Sequence, residues 1–168
     1  MTAPPPAGRE LLRPAVPADL DALMVLERAC FDRDAQSRRS MAHLVGRAHG
    51  EVRVVDHDDR IVAALVLLYR RGTRVARIYS IAVDPAARGL GLARRLIEDA
   101  DRCARARGCT RLSAEVRLSN RASRALFAAC GFGEADCLAD YYEGEHGARE
   151  DGVRLVKPLL SDKRPVSP

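Results

Sequence analysis

The sequence predicts a mixed α/β fold in a single domain, and three observations carry that expectation. Short β-like runs alternate with amphipathic helical stretches along most of the chain. An apolar strand-like run over 78–83 feeds through Asp84-Pro85 into a glycine-containing loop that opens directly into a helical pattern at Leu92. The chain has 168 residues, 47% hydrophobic and 30% charged, which suits one globular core of ordinary size.

The elements follow in order. Leu11-Leu12-Arg13-Pro14 reads as a short strand. Pro17-Ala18-Asp19 starts a helix in which Leu20, Leu23, Met24, Leu26 and Cys30 recur at helical spacing. A weaker helix falls within 37–48. Residues 51–55 and 61–69 read as strands joined by the polar turn Asp56-His57-Asp58-Asp59. Arg71-Gly72-Thr73 makes the next turn, before a long strand over 74–83. The helix over 91–107 stops at Gly108, a residue suited to the left-handed position after a helix. Over 111–117, Leu112, Ala114 and Val116 alternate with Ser113, Glu115 and Arg117 as in a strand. Asn120 caps a helix running to Cys130, and Gly131 stops it. An irregular acidic segment precedes a last strand over 152–157. The order is β-α-α-β-β-β-α-β-α-β-β, without an internal repeat. Residues 1–10 and 161–168 read as loose, proline-bearing tails, leaving the domain at 11–160.

Composition excludes several function classes. The formal net charge is +5, carried almost wholly by arginine, with Lys157 and Lys163 the only lysines. Such charge favours polyanions such as CoA or RNA. Aromatics make up only 4% and no basic run is interleaved with them, so a base-stacking platform and a direct nucleic-acid role are not expected. No apolar run approaches the ~20 residues that cross a bilayer, and the first ten residues hold no signal-peptide apolar stretch. No membrane role and a cytoplasmic location are the expectation. Cys30, Cys103, Cys109, Cys130 and Cys137 form no C-x-x-C pair and read as reduced, structural thiols. His43, His49, His57 and His146 show no metal-ligand spacing, so no metal is expected.

The most informative stretch is Val83-Asp84-Pro85-Ala86-Ala87-Arg88-Gly89-Leu90-Gly91-Leu92-Ala93. Amide groups at such a loop and helix N-terminus have no intrahelical partner and can cradle a phosphate. Glycine lets the backbone come close to the anion. The spacing R-x-x-G-x-A, Arg88 to Ala93, is neither the dinucleotide fingerprint nor the P-loop. It resembles the pyrophosphate-binding motif of the GCN5-related N-acetyltransferases (GNAT), which bind acetyl-CoA. Three later segments extend the resemblance. Glu115-Val116-Arg117-Leu118-Ser119-Asn120 resembles the E-V-R-x-S-N segment of the RimI-like branch, the ribosomal-protein alanine N-acetyltransferases. The run from Asn120 to Phe127, followed by Gly131-Phe132, resembles the family's N-x-x-A-x-x-x-Y…G-F. Tyr141-Tyr142, followed by Glu150-Asp151, resembles that branch's Y-Y…E-D. The resemblance covers nearly everything between Leu11 and Leu159.

The resemblance implies an α/β (α+β) fold with a central mixed, mostly antiparallel sheet of about six to seven strands, flanked by about four helices and splayed between the fourth and fifth strands. The pantetheine arm of acetyl-CoA would lie in that gap. The backbone of Ile81, Ala82 and Val83 would pair with the arm, and one N–H would polarise the thioester carbonyl. The backbone of Arg88, Gly89, Leu90, Gly91, Leu92 and Ala93 would take the pyrophosphate. The Arg88 side chain either adds charge there or stands solvated. Asn120 would contact the arm, which is compatible with its role as an N-cap.

Glu115 takes the position of the family's general base. An amine is mostly protonated at neutral pH, so a base must remove its proton before or during attack. The competing reading is a surface glutamate paired with an arginine. The chain departs from the family at Phe127, where a tyrosine hydroxyl usually serves the leaving thiolate. Three routes stay open. The thiol, with a Cys-like value of ~8.5, leaves with help from water; or Tyr141, Tyr142 or Tyr79 supplies a hydroxyl; or the domain binds an acyl-CoA without catalysis. Glu134, Asp136, Asp140, Glu143, Glu145, Glu150 and Asp151 make 134–151 acidic, either to attract a cationic amine or as a solvated loop. By the same resemblance the first two helices, with Phe31 and residues 37–39, would wall the acceptor site; they are too generic to name a substrate.

The expected function is direct transfer of acetyl from acetyl-CoA to a primary amine, a protein or peptide N-terminal α-amine by resemblance to the RimI-like branch. A lysine side chain or a small-molecule amine is the alternative acceptor. A non-catalytic acyl-CoA-binding module is the rival class, and a ribosome- or RNA-binding protein is a further one. Monomer and homodimer both remain open.

Overall fold

The computed structural model describes residues 9–46 and 49–159. The expected tails lie outside these residues, apart from Arg9 and Glu10, as does the end of the helix expected within 37–48. The elements are β1 (Glu10–Pro14), α1 (Leu20–Cys30), α2 (Arg38–Val45), β2 (Gly50–His57), β3 (Arg60–Tyr69), β4 (Val75–Val83), α3 (Leu92–Ala106), β5 (Arg111–Arg117), α4 (Arg121–Ala129), β6 (Gly133–Glu143) and β7 (Arg149–Pro158). Single 3-10 turns cover Pro17–Asp19, Pro85–Ala87 and Glu145–Gly147. The seven strands are hydrogen-bonded in the order β1-β2-β3-β4-β5-β7-β6. The β4–β5 pair is parallel, and β1–β2, β2–β3, β5–β7 and β6–β7 are antiparallel. A parallel pair needs a crossover, and α3 supplies it between β4 and β5. This is the mixed, mostly antiparallel sheet the sequence led us to expect.

Two compact units make up the chain: residues up to Leu68 with Ser80–Ile97, and Tyr69–Tyr79 with the residues from Glu98 on. In the first, Leu23, Met24 and Leu26 of α1 join Met41 and Leu44 of α2 in one buried cluster. Val52, Val54, Ile61, Ala64, Val66 and Ala82 complete it from β2, β3 and β4. The helical spacing of α1 and the alternation in β2 therefore point at one core. Ser37 caps α2, accepting from the Ser40 N–H at 3.1 Å. The turn between β2 and β3 is tighter than the four polar residues suggest. Asp56 and His57 belong to β2, and Asp58 (φ 50°) and Asp59 (φ 61°) form a two-residue turn. Positive φ at both positions matches the twist of a hairpin, and aspartate tolerates it.

In the second unit, the β4–β5 ladder runs from Val75↔Arg111 to Ile78↔Ala114, and β5 continues to Arg117. Leu112, Ala114 and Val116 are buried, and Ala114 and Val116 stand opposite the buried Leu155 and Val153 of β7. Ser113, Glu115 and Arg117 take the other face, as the alternation requires. α3 ends at Ala106 rather than Arg107. Gly108 (φ 75°) closes it, with its N–H donating to Arg105 and that of Cys109 to Ala104. That pattern satisfies the last carbonyls of the helix. Phe127 of α4 meets Phe132 edge-on, with centroids 4.9 Å apart.

The segment read as irregular and acidic is β6, and the final strand is longer than expected. The physical reason is position. β6 is the terminal strand of the sheet order and nearly all its residues are exposed, so no hydrophobic alternation marks it. Its register also breaks between Glu134 and Asp136 and again between Leu138 and Tyr142. At the second break Ala139, Asp140 and Tyr141 face Asp151 alone, since Leu138 pairs with Gly152 and Tyr142 with Glu150. Asp140 there has φ 51°; its N–H donates to Asp151 at 2.8 Å, and its carbonyl accepts from Arg149.

Candidate active site

The first unit holds the loop singled out by its glycines. Ile81, Ala82 and Val83 form the end of β4, and the Val83 carbonyl accepts from the Cys30 thiol at 3.2 Å. Burial pushes the Cys30 thiol up, with Arg88 pulling the other way. Asp84 stiffens the exit from the strand. Its carboxylate accepts from the Ala86 N–H at 2.9 Å and from Arg60 at 2.9 Å. Gly89 (φ 80°) and Gly91 (φ 75°) then take the left-handed conformation that favours glycine. A Cβ at either would meet nothing within 4 Å, so the backbone lies open. The first helical bond of α3 runs from the Arg95 N–H to the Gly91 carbonyl. The amides of Leu92 and Ala93 precede it and have no intrahelical acceptor. An exposed arginine, two open glycines and a helix N-terminus in sequence suit a phosphate group.

The second unit holds the carboxylate. Glu115 sits on β5 with its side chain 9% exposed. Arg77 of β4 donates to its Oε2 at 2.8 Å, and Arg154 of β7 donates to its Oε1 at 3.4 Å. The Tyr141 hydroxyl donates to Oε2 in a short contact. That bond to Glu115 raises the Tyr141 hydroxyl above its usual range, helped by burial, so the phenol stays protonated and serves as a donor. Tyr142 meets Tyr141 edge-on at 5.0 Å and lies under the Arg117 guanidinium at 4.7 Å. Burial, then the charge of Glu115, pushes the Tyr142 hydroxyl up to about 12. Arg117 also donates to the Glu143 carbonyl and to Glu150, whose other oxygen accepts from the Ser119 N–H.

The structure thus unites Glu115 and Tyr141 directly and places Tyr142 beside them. Asn120 accepts from the Ser123 N–H at 3.1 Å, as an N-cap does. Phe127 is 4% exposed and packed on Phe132. Tyr79 stands beneath the Arg77 guanidinium at 5.4 Å. Glu115 is paired, as the competing reading expected, though by arginines from two strands and by a tyrosine. Sequence reasoning missed Arg77 and Arg154, and the link from Arg154 to Asp136 at 3.1 Å. Their register on neighbouring strands was the signal, and no local pattern reports it. The acidic segment is largely matched by arginines: Glu134 by Arg124, Asp136 by Arg154, Glu143 by Arg149 and Glu150 by Arg117.

The model of the acetyltransferase (GNAT) family matches residues 20–132, and the chain belongs to that family. Its members use acetyl-CoA as cosubstrate. Two curated relatives are [ribosomal protein bS18]-alanine N-acetyltransferases. That of Escherichia coli (strain K12) is 39% identical over 84 residues, covering 50% of this chain and 56% of the relative. That of Haemophilus ducreyi is 35% identical over 81 residues, covering 48% and 56%. The chain therefore spans about half the length (56%) of the curated relatives it matches. The crystal structure of the ribosomal-protein-S18-alanine N-acetyltransferase from Escherichia coli superposes with a TM-score of 0.82 at 25% identity, covering 95% of this chain and 99% of that one. The open glycine backbone and the helix N-terminus of α3 fit the pyrophosphate of such a cosubstrate. Among the described residues, no cluster of His, Cys, Asp or Glu is placed to hold a metal ion, and no helix is long and apolar enough to cross a membrane.

Proposed function

We propose that the protein is an acetyl-CoA-dependent N-acetyltransferase acting on a primary amine, in first place the N-terminal α-amine of a protein or peptide. The observation that carries the reading is Glu115. It is a nearly buried carboxylate on β5, held from three sides, in a chain whose family performs acyl transfer. The names of the relatives support a terminal α-amine over a lysine side chain. A cytoplasmic site of action belongs to the same proposal.

In the proposed reaction the amine nitrogen attacks the thioester carbonyl. The N–C bond forms, the C–S bond breaks, and CoA leaves as the thiolate. Glu115 receives the amine's proton directly or through water. Among the described residues its Oε1 has only the long contact to Arg154, whereas Oε2 has Arg77 and Tyr141, so Oε1 is the less occupied of the pair. The residues at 88–93 would hold the pyrophosphate through backbone amides, and Asn120 would contact the arm. Phe127 gives the thiolate no proton. A CoA thiol near ~8.5 leaves without a dedicated acid and takes its proton from solvent. Tyr141 is a poor candidate for that acid, because its hydroxyl is engaged by Glu115 and raised by it.

The test is mass spectrometry of a mixed acceptor pool incubated with acetyl-CoA: peptides with free N-termini, N-blocked lysine peptides and polyamines. Acetylation confined to the free N-termini is the expected result. Glu115→Gln should slow it by about 10²-fold; a variant as fast as the wild type removes the assignment of the base. Acetyl-CoA binding without transfer to any acceptor class would favour a non-catalytic module, the reading that Phe127 motivates.

A further inference from the structure

Four charged side chains line up across four adjacent strands on one face of the sheet. Asp136 of β6 pairs with Arg154 of β7, Arg154 with Glu115 of β5, and Glu115 with Arg77 of β4. The register enforces the line, since Asp136 stands opposite Arg154, and Arg154 opposite Glu115. The signs alternate. Each guanidinium takes a different oxygen of Glu115, Arg77 on Oε2 and Arg154 on Oε1.

We infer that Arg77 and Arg154 are positioning residues that fix the orientation of the Glu115 carboxylate, with Asp136 setting how strongly Arg154 engages it. The inference rests on the proposed role of Glu115 as base. A carboxylate at the end of a flexible side chain has several rotamers, and a general base works only when its free oxygen is aimed. Arg77 and the Tyr141 hydroxyl hold Oε2, which leaves Oε1 as the working oxygen. Arg154 touches Oε1 at 3.4 Å and Asp136 at 3.1 Å, so Asp136 draws the guanidinium away from the working atom. The Arg77 Nε is buried and has no hydrogen-bond partner among the described residues.

The groups facing Glu115 are Arg77 from β4, Arg154 from β7, and Tyr141, Tyr142 and Asp136 from β6, with Arg117 further along β5. Removing a positive charge beside a carboxylate makes it easier to protonate. Removing Asp136 frees Arg154 to engage Glu115 more fully and does the opposite.

Steady-state kinetics of the full chain, with one peptide acceptor throughout, test this. Because the acceptor is constant, its own titration is common to all variants. Arg77→Met and Arg154→Met should each lower kcat about tenfold, leave the KM for acetyl-CoA unchanged, and move the acid limb of the kcat profile to higher pH. Arg154→Lys should return the limb toward its wild-type position while recovering only part of kcat, because an ammonium lacks the planar fork. Asp136→Asn should move the limb to lower pH. If Arg77→Met and Arg154→Met keep wild-type kcat and limb while Glu115→Gln is impaired, the positioning role is wrong and the base stands. If Glu115→Gln is itself unimpaired, the base reading fails first. Should the arginine variants not fold, Asp136→Asn decides alone: its side chain is 56% exposed, and an unmoved limb overturns the inference.

Discussion

Gly152 lies on β7 opposite Arg117 and Leu138, beneath the tyrosine pair. A Cβ there would stand 2.8 Å from Cε2 of Tyr142, and 3.4 Å from both Tyr142 Cδ2 and Tyr141 Cδ1. Carbon atoms rest comfortably at ~3.5–4.0 Å, so Gly152→Ala must push the Tyr142 ring by roughly 0.7 Å. The ring is not free to swing. The Arg117 guanidinium covers one side of it and Tyr141 meets it edge-on. The displacement therefore passes to Tyr141, whose hydroxyl donates to Glu115. Overpacking of this size costs ~1–3 kcal/mol. Replacing glycine by alanine within a strand returns ~0.5–1 kcal/mol, so the net loss of stability should be about 1 kcal/mol. Activity should suffer more, with kcat down about tenfold, since a misplacement near 1 Å costs up to ~10²-fold. Urea denaturation and peptide acetylation kinetics read the two effects. A double-mutant cycle with Tyr142→Ala isolates the clash: without the ring, Gly152→Ala should stabilise by the ~0.5–1 kcal/mol gained in the strand, giving a coupling of about 2 kcal/mol. Wild-type kcat in Gly152→Ala, or the same stability loss in both backgrounds, would refute the reasoning.

Other perturbations address different parts of the molecule. Gly91→Ala meets no steric obstacle, yet it forces a non-glycine residue to φ 75°, at ~1–2 kcal/mol of backbone strain. Calorimetry should show acetyl-CoA binding weakened about tenfold with the acceptor KM unmoved; unchanged binding would separate this loop from the pyrophosphate. Glu27 is 4% exposed, and burial raises its carboxyl above the usual range although the Gln36 N–H donates to it at 3.0 Å. A carboxyl raised on folding binds its proton more tightly in the folded state, so its contribution to stability falls as pH climbs past the ordinary carboxylate range. Glu27→Gln keeps an acceptor for Gln36 and loses that dependence. Its melting temperature relative to wild type should rise between pH 4 and pH 7, and a flat difference would show that burial of the charge is not felt. Phe127→Tyr should leave kcat within about twofold, whereas a gain of about tenfold would mean that the absent hydroxyl limits turnover.

Local chemistry made most of the fold legible. Gly108, Asn120 and the alternation of Leu112, Ala114 and Val116 each mark a boundary or a face through a short-range cause, and each sits where that cause requires. β6 was illegible for an equally physical reason. An exposed terminal strand buries no face, and its breaks at Glu134 and Leu138 scramble what alternation it has. The turn at Asp58-Asp59 lay between these cases: its composition was plain, but the polar residues before it also suit the end of a strand. In the site, the resemblance to the family picked out Glu115 and Tyr141 but not Arg77 or Arg154. Those arginines meet Glu115 through sheet register, a long-range property of the chain.

That difference changes how the acidic segment and the amine are understood. From composition, the carboxylates over 134–151 read either as free to attract a cation or as a solvated loop. In the folded chain Glu134, Asp136, Glu143 and Glu150 are each matched to an arginine. Beside Glu115 stand two guanidinium groups, from Arg77 and Arg154. Glu115 and Asp136 balance those two charges, so the folded site offers no net negative charge to draw an ammonium ion. A neutral amine carries the lone pair that attacks a thioester. On the proposed reading, Glu115 serves the amine at the moment of attack. It takes the proton that the nitrogen releases as the N–C bond forms, at the oxygen the two arginines leave most open.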